Sequence, residues 1–435
     1  MLHDPSHIPP IPIEEEILLT REEKDALRRL GETCAELGRK DLETEKADLW
    51  RALNDKKSVR PMLWINEIPW HEMDIDGELR LSTSHPWARE LEASLRRTIY
   101  QAKHMPGDMV VNDFLECPKV FHSSGFGIME KVETRYTDAK SDIYSRRFEI
   151  QIKEPGDIEK IIIPKITYLK KATEHRYAAM QDLFGDICEV RLVGQTHIWY
   201  TPWDYLIRWW GVEEAMADLV MRPDMVHAAY ERMVDAWLSE IEQLEGLDLL
   251  SLDNNNTRIG SGGYGYVSDL PGEDFDPDHV KPANMWGCSN SQIFTSVSPG
   301  MHWEFAVEHD LRWLKKFGLT YYGCCERLDI KMDVMRRIPN LRKLSVSPWC
   351  DSARAVSEIG RDYVISRKPS PSAFAREKFQ LDEAERELRG FLDLARDCHT
   401  EIILKDISTV NKDPRRLWEW EKMAMCTLMD YEKKR

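Results

Sequence analysis

The sequence predicts an α/β protein on a parallel sheet closed as a (β/α)8 TIM barrel, with an N-terminal helical extension and an inserted β-hairpin. Three observations predict it. Short apolar runs alternate with helix-compatible stretches from PMLWINEIPW (61–70) onward, the pattern of linked βαβ units. The runs are nearly continuous in apolar residues, as strands covered on both faces are. Each run also ends in polar or reactive residues, and the C-terminal strand ends of such a barrel carry its active site.

The elements follow in order. Residues 1–60 form the extension and 61–435 the barrel. In the extension Thr20 and Glu23 fit a capping box, and Leu27, Leu30, Cys34 and Leu37 recur at helical spacing. GDMVVNDF (107–114) and CEVRLVGQTH (188–197) are read as strands, with a hairpin inserted near 136–165 between them. A long helical region (203–245) leads to LDLLSLDNNN (247–256), a strand that runs into the glycine-rich GSGGYGY (260–266). LTYYGCCE (319–326), LRKLSVSP (341–348), RDYVISRKPSP (361–371) and TEIILKDIST (400–409) are further strands. Helices at 302–317, 328–338, 351–360 and 378–397 separate them.

Composition narrows the function. The net charge of −16 repels a phosphate backbone, so nucleic acid is not an expected partner. No uninterrupted apolar stretch of about 18 residues could span a membrane. MLHDPSHIPP lacks a secretory pattern, and nine scattered cysteines suit a reducing compartment, so a cytoplasmic location is expected. Fifteen tryptophans either fill the core or line a pocket for a flat ligand. The glycine-rich loop lacks the ending of a phosphate loop, and neither GxSxG nor a dinucleotide fingerprint is present.

The polar strand ends supply the candidate residues. His197 and Asp253 are the catalytic candidates, with His197 as a proton donor. Trp199 and Tyr200 form an aromatic wall beside His197, and Asn254 and Asn255 join them in substrate binding. Arg258, Lys368 and Lys405 serve polarity or pair with acids. Cys324 and Cys325 end a strand beside Glu326. Thiolates and a carboxylate suit Zn2+, although adjacent cysteines also occur as buried small residues.

The order YYGCCERL, MRRIPNLRKLSVSPWCD, VSEIGRDYVISRKPSP and ILKDISTVNKDP resembles the C-terminal half of the uroporphyrinogen decarboxylase-like superfamily. SVSPGMHWEFAVEHDLRWLKKFGL (296–319) and GVEEAMADLVMRPDMVHAAYERMV (211–234) add to the likeness, which spans roughly residues 100–425. The resemblance implies a barrel that either decarboxylates acidic porphyrinogens or transfers methyl groups with zinc. It places the family's zinc cysteine on Cys325 and its last ligand near Asp406. The family histidine falls on Gly323, a departure that leaves Cys324 and Glu326 as substitutes. PMLWINEIPWHEM carries no arginine after Pro61 to clamp porphyrin carboxylates, which favours the methyltransferase side.

The expected function is therefore a zinc-dependent methyltransferase of the O-demethylase type. Its substrate would be a small methylated compound, first of all a methoxylated aromatic. Its acceptor would be the cobalt of a corrinoid (cobalamin) on a separate corrinoid protein, because this chain lacks the DxHxxG pattern of cobalamin carriers. A decarboxylase of an acidic substrate and a non-catalytic barrel scaffold are the alternatives. The methyl donor, the full ligand set and a homo-oligomeric state stay open.

Overall fold

The structure is a computed structural model that describes residues 14–135 and 145–434. The chain divides into two compact units. One holds Phe121–Tyr168 and Gly194–Ser366; the other holds Ile13–Val120, Leu169–Val193 and Arg367–Arg435. The N-terminal helices belong with the first strand and the C-terminal segment.

In the second of these units the helix Arg21–Gly38 starts on the expected capping box. Glu23 N–H donates to Thr20 Oγ1 at 3.2 Å, and Thr20 N–H donates to Glu23 Oε2 at 3.0 Å. The other oxygen of Glu23 accepts from the amides of Ser84 and His85, and those bonds, with the one to Thr20, hold its carboxyl at about 2. Leu27 and Cys34 then pack with Leu95, Leu183 and Phe184 in one apolar cluster. Strand Met62–Ile65 pairs in parallel with His399–Leu404, Met62 opposite Glu401. Leu115–Pro118 pairs in parallel with Val190–Val193. A buried ion pair ties the entry to Met62–Ile65: Arg60 grips Asp108 at 2.5 and 2.8 Å, and Asp108 also accepts from Leu63 N at 2.7 Å.

In the unit that holds Gly194–Ser366, neighbouring strands run Trp286–Ser289, Leu319–Tyr322, Leu341–Val346 and Val364–Arg367 in chain order. The first three are parallel. The long helical region is three helices, Pro202–Trp210, Val212–Met221 and Pro223–Gly246. Pro202 and Pro223 sit in the first turns, where a missing N–H costs nothing. The region read as helix 302–317 holds a π turn at Trp303–Val307. Of the inserted hairpin, Val132–Arg135 pairs antiparallel with Ser145–Phe148, while 136–144 lie outside the described residues. Phe121–Ser123 with Ile166–Tyr168 forms a second antiparallel pair.

The α/β class holds, with a mostly parallel sheet of six strands. That sheet is not closed among the described residues, so the expected eight-stranded barrel is not confirmed. Two expected strands explain the gap. Residues 107–114 form no ladder: the amide of Val111 goes to Glu43 at 2.7 Å, while that of Asp108 reaches Leu63 O at 2.7 Å. Residues 247–256 make a single bridge, Leu250 to Gln195, before side-chain bonds of Asn254 and Asn255 turn the chain.

The Arg60–Asp108 pair generates a stability prediction. Asp108→Ala leaves a buried guanidinium and the Leu63 amide without their acceptor. Urea unfolding should show a loss of about 3–5 kcal/mol. A loss below about 1 kcal/mol would mean that the pair does not anchor this strand.

Candidate active site

Polar side chains collect at the C-terminal ends of Trp286–Ser289 and Leu319–Tyr322. Asp310, on the helix Glu308–Leu314, is wholly buried. Tyr200 and Tyr230 donate their hydroxyls to its Oδ1 at 3.0 and 2.8 Å, and Ser289 donates to its Oδ2 at 2.8 Å. Burial pushes this carboxyl up to about 7, against the three hydroxyls that favour its charge, with help from the nearby charge of Glu326. The same burial, beside the same acid, carries the two tyrosines well above the usual phenol range.

A second network lies on the same strand ends. Glu326 is wholly buried, and its oxygens accept from Ser291 N at 2.9 Å and Cys324 N at 2.7 Å. Burial raises its pKa against those bonds. Lys331 donates to Phe294 O and meets His302 Nδ1 at 3.0 Å, while His302 Nε2 meets the Tyr322 hydroxyl at 2.7 Å. Burial lowers Lys331 to about 8 and drives His302 well below its usual value. His302 is therefore neutral: it accepts from Lys331 on Nδ1 and donates from Nε2 to Tyr322. The two networks hold a buried acid that titrates near neutrality and a lysine–histidine–tyrosine relay, together the equipment for storing and moving a proton.

The structure brings His197 and Asp253 together but gives them different work. Asp253 Oδ2 lies 3.4 Å from His197 Nδ1, and Trp286 N donates to Asp253 at 3.0 Å. The amide of Gly260 donates to His197 Nε2 at 2.9 Å. Burial disfavours charge on this ring, yet Cys288 and Asp253 outweigh it and, the Gly260 bond set aside, favour the charged form up to about 10. The Gly260 N–H decides, because it needs a lone pair on Nε2. The ring is neutral, with its proton on Nδ1 toward Asp253. Both nitrogens are occupied, and through Nε2 His197 pins the glycine-rich loop. Gly265 shows how closely that loop lies: a Cβ there would stand 2.0 Å from Asp253 O. The side chains of Asn254 and Asn255 are bonded to backbone carbonyls, donating to Leu270 O at 2.7 Å and Leu252 O at 3.3 Å. Trp199 packs half-buried against the cluster of Ile259, Trp286 and Tyr321. Tyr200 lies flat on Trp313, ring centroids 4.7 Å apart. Trp203, Trp209, Trp210, Trp237, Trp286 and Trp313 are fully buried, so the tryptophans read as a pocket wall are mainly core.

The expected zinc ligands do not fit a metal shell. Cys324 and Cys325 stand with sulfurs 3.6 Å apart, but both oxygens of Glu326 are taken by backbone amides. Asp406 belongs to the other compact unit, where Lys405 bonds it at 2.5 Å. Among the described residues no group of three or more His, Cys, Asp or Glu side chains is placed to hold a metal ion. Gly323 occupies a position that leaves no room for a side chain. Its φ is +101°, and a Cβ would meet Leu328 at 2.6 Å and Ser345 at 3.0 Å.

Comparison with known proteins adds the fold. The chain shares its fold with a methyltransferase from Methanosarcina mazei, at a TM-score of 0.51 over 89% of this chain and 99% of that one. Identity is 10%, so the likeness carries the fold alone. The sequence matches no protein-family model and no curated protein.

Sequence reasoning missed Asp310, Tyr230, His302 and Lys331. Asp310 left a signal: it sits on the apolar stripe of Ala306, Trp313, Leu314 and Phe317, where an acid is out of place.

Its raised pKa sets a pH test of stability. The unfolded carboxyl ionises near 3.8, the folded one near 7. Between these values the folded state binds the extra proton, so Asp310 costs stability as pH rises and levels off above 7. Relative to Asp310→Asn, the parent should lose up to roughly 4 kcal/mol from pH 4 to above pH 7. A pH-independent difference would remove the proton from Asp310.

Proposed function

We propose that this chain is an enzyme that moves a methyl group from a small methylated compound, first a methoxylated aromatic, to the cobalt of a corrinoid on a separate protein. The observation that carries the reading is the buried acid Asp310, holding a proton near neutral pH at the strand ends of a fold shared with a methyltransferase. Demethylating an ether leaves an alkoxide or phenoxide, a poor leaving group unless a proton reaches its oxygen as the bond to methyl breaks. The corrinoid, when bound with its partner, supplies the nucleophile. This chain supplies the proton reserve: Asp310 through the hydroxyls of Tyr200 and Tyr230, with the Lys331–His302–Tyr322 relay beside it. Asp310 is a positioning residue here, since it acts through those hydroxyls. The donor set does not fit zinc, and no step depends on a metal.

The test is a screen of methyl donors with Co(I) cobalamin, read by the absorbance change on cobalt methylation. A methoxylated aromatic should react and uroporphyrinogen should release no carbon dioxide. Asp310→Asn should lower the rate by about 100-fold or more and remove the limb of the pH profile near 7. Carbon dioxide release from a porphyrinogen without methyl transfer would replace this reading with a decarboxylase.

A further inference from the structure

The compact unit that holds the N-terminal helices carries a cleft of about 590 Å3, within the size range of small-molecule pockets. Helix Pro86–His104 lays one face into it: Arg89, Ala93 and Arg97 in one row, Ser94 and Thr98 beside them. Trp70, Leu81 and Met109 form the facing wall. The Arg97 guanidinium sits 5.4 Å from the centre of the Trp70 ring. Trp70 is itself held edge-on by Tyr100, whose hydroxyl is anchored on Met73 O at 2.8 Å.

Charge distinguishes this cleft from its surroundings. The chain as a whole carries −16, yet the cleft offers two arginines against one acid, Glu90. Arg96, one position along the helix and outside the cleft, is bonded to Glu92 at 2.8 Å. Arg97 makes no ion pair with a carboxylate among the described residues. A guanidinium facing an indole in this way can still turn its N–H edge to a carboxylate or phosphate and hold it in two parallel bonds. Arg89 is set by its bond to Thr83 O at 2.8 Å and adds positive field. Leu81, Ala93 and Met109 provide apolar surface for the body of the same molecule.

We propose that this cleft binds a small organic anion, a carboxylate or phosphate ester on a flat apolar body, with Arg97 as the anion's partner. The site is independent of the methyl-transfer reading, and its test reads binding rather than turnover.

The full chain is titrated calorimetrically with benzoate, phenyl phosphate, inorganic phosphate and benzamide. Benzoate or phenyl phosphate should bind saturably with one site per chain, and whichever binds tighter identifies the anionic group. Benzamide, which has the ring without the charge, and inorganic phosphate, which has the charge without the ring, should each bind at least tenfold more weakly. Arg97→Gln should weaken the preferred anion at least tenfold, and Arg97→Lys should restore part of that loss. Arg97 is exposed, so an unchanged melting temperature shows that the variant folds. Equal affinity for benzamide, full binding by Arg97→Gln, or no saturable binding of either ring-bearing anion would overturn the proposal.

Discussion

A carboxylate with no ion-pair partner among the described residues constrains the unit that carries the candidate site. Asp310 is wholly buried, and what faces its oxygens is three hydroxyls. Hydroxyls offset a buried charge less well than a cation does, so the acid keeps its proton to much higher pH than usual. Once it is protonated, one of the three hydroxyls must turn from donor to acceptor. Serine and tyrosine can make that change because each carries lone pairs as well as a proton. The cluster thus has two hydrogen-bonded states that differ by one proton, with little movement of heavy atoms.

The aromatic core follows from the same requirement. The hydroxyls must arrive at fixed points, so the rings that carry them are clamped. Tyr200 is stacked on Trp313 and meets Trp237 edge-on at 5.7 Å. Tyr230 lies against Trp203, whose indole N–H donates to Phe305 O at 2.9 Å. That carbonyl lies in the π turn Trp303–Val307, where an extra residue per turn alters which carbonyls the helix itself uses. Tryptophan is suited to the role because it buries a large apolar face while its N–H still finds a partner.

Much of the fold was legible in the sequence, and the losses have physical causes. The capping box at Thr20 and Glu23 was readable because it depends on four consecutive residues. The strands at 319–322, 341–346, 364–367 and 399–404 were readable from their unbroken apolar runs. Residues 107–114 misled because their apolar pattern is real, with Val110 and Val111 buried; the Val111 amide goes to the carboxylate of the distant Glu43 and not to a neighbouring strand. The site was less legible. His197 and Asp253 do meet, but the amide of Gly260 that occupies Nε2 is a backbone group from a loop, invisible to residue-type reasoning. The motif at Cys324–Cys325–Glu326 pointed to a strand end where polar groups do collect, but Glu326 turns back onto the amides of its own loop and of Ser291. Asp310 was passed over because it lies in mid-helix rather than at a strand end.

The candidate site turns on one proton, and infrared spectroscopy can see it directly. A buried protonated carboxyl gives a carbonyl stretch clear of the amide bands. Between about pH 5 and pH 9 the parent protein should lose such a band with a midpoint near 7, and Asp310→Asn should lack it. A band that persists unchanged in the variant, or a parent with Asp310 already ionised at about pH 5, would contradict the account at its base.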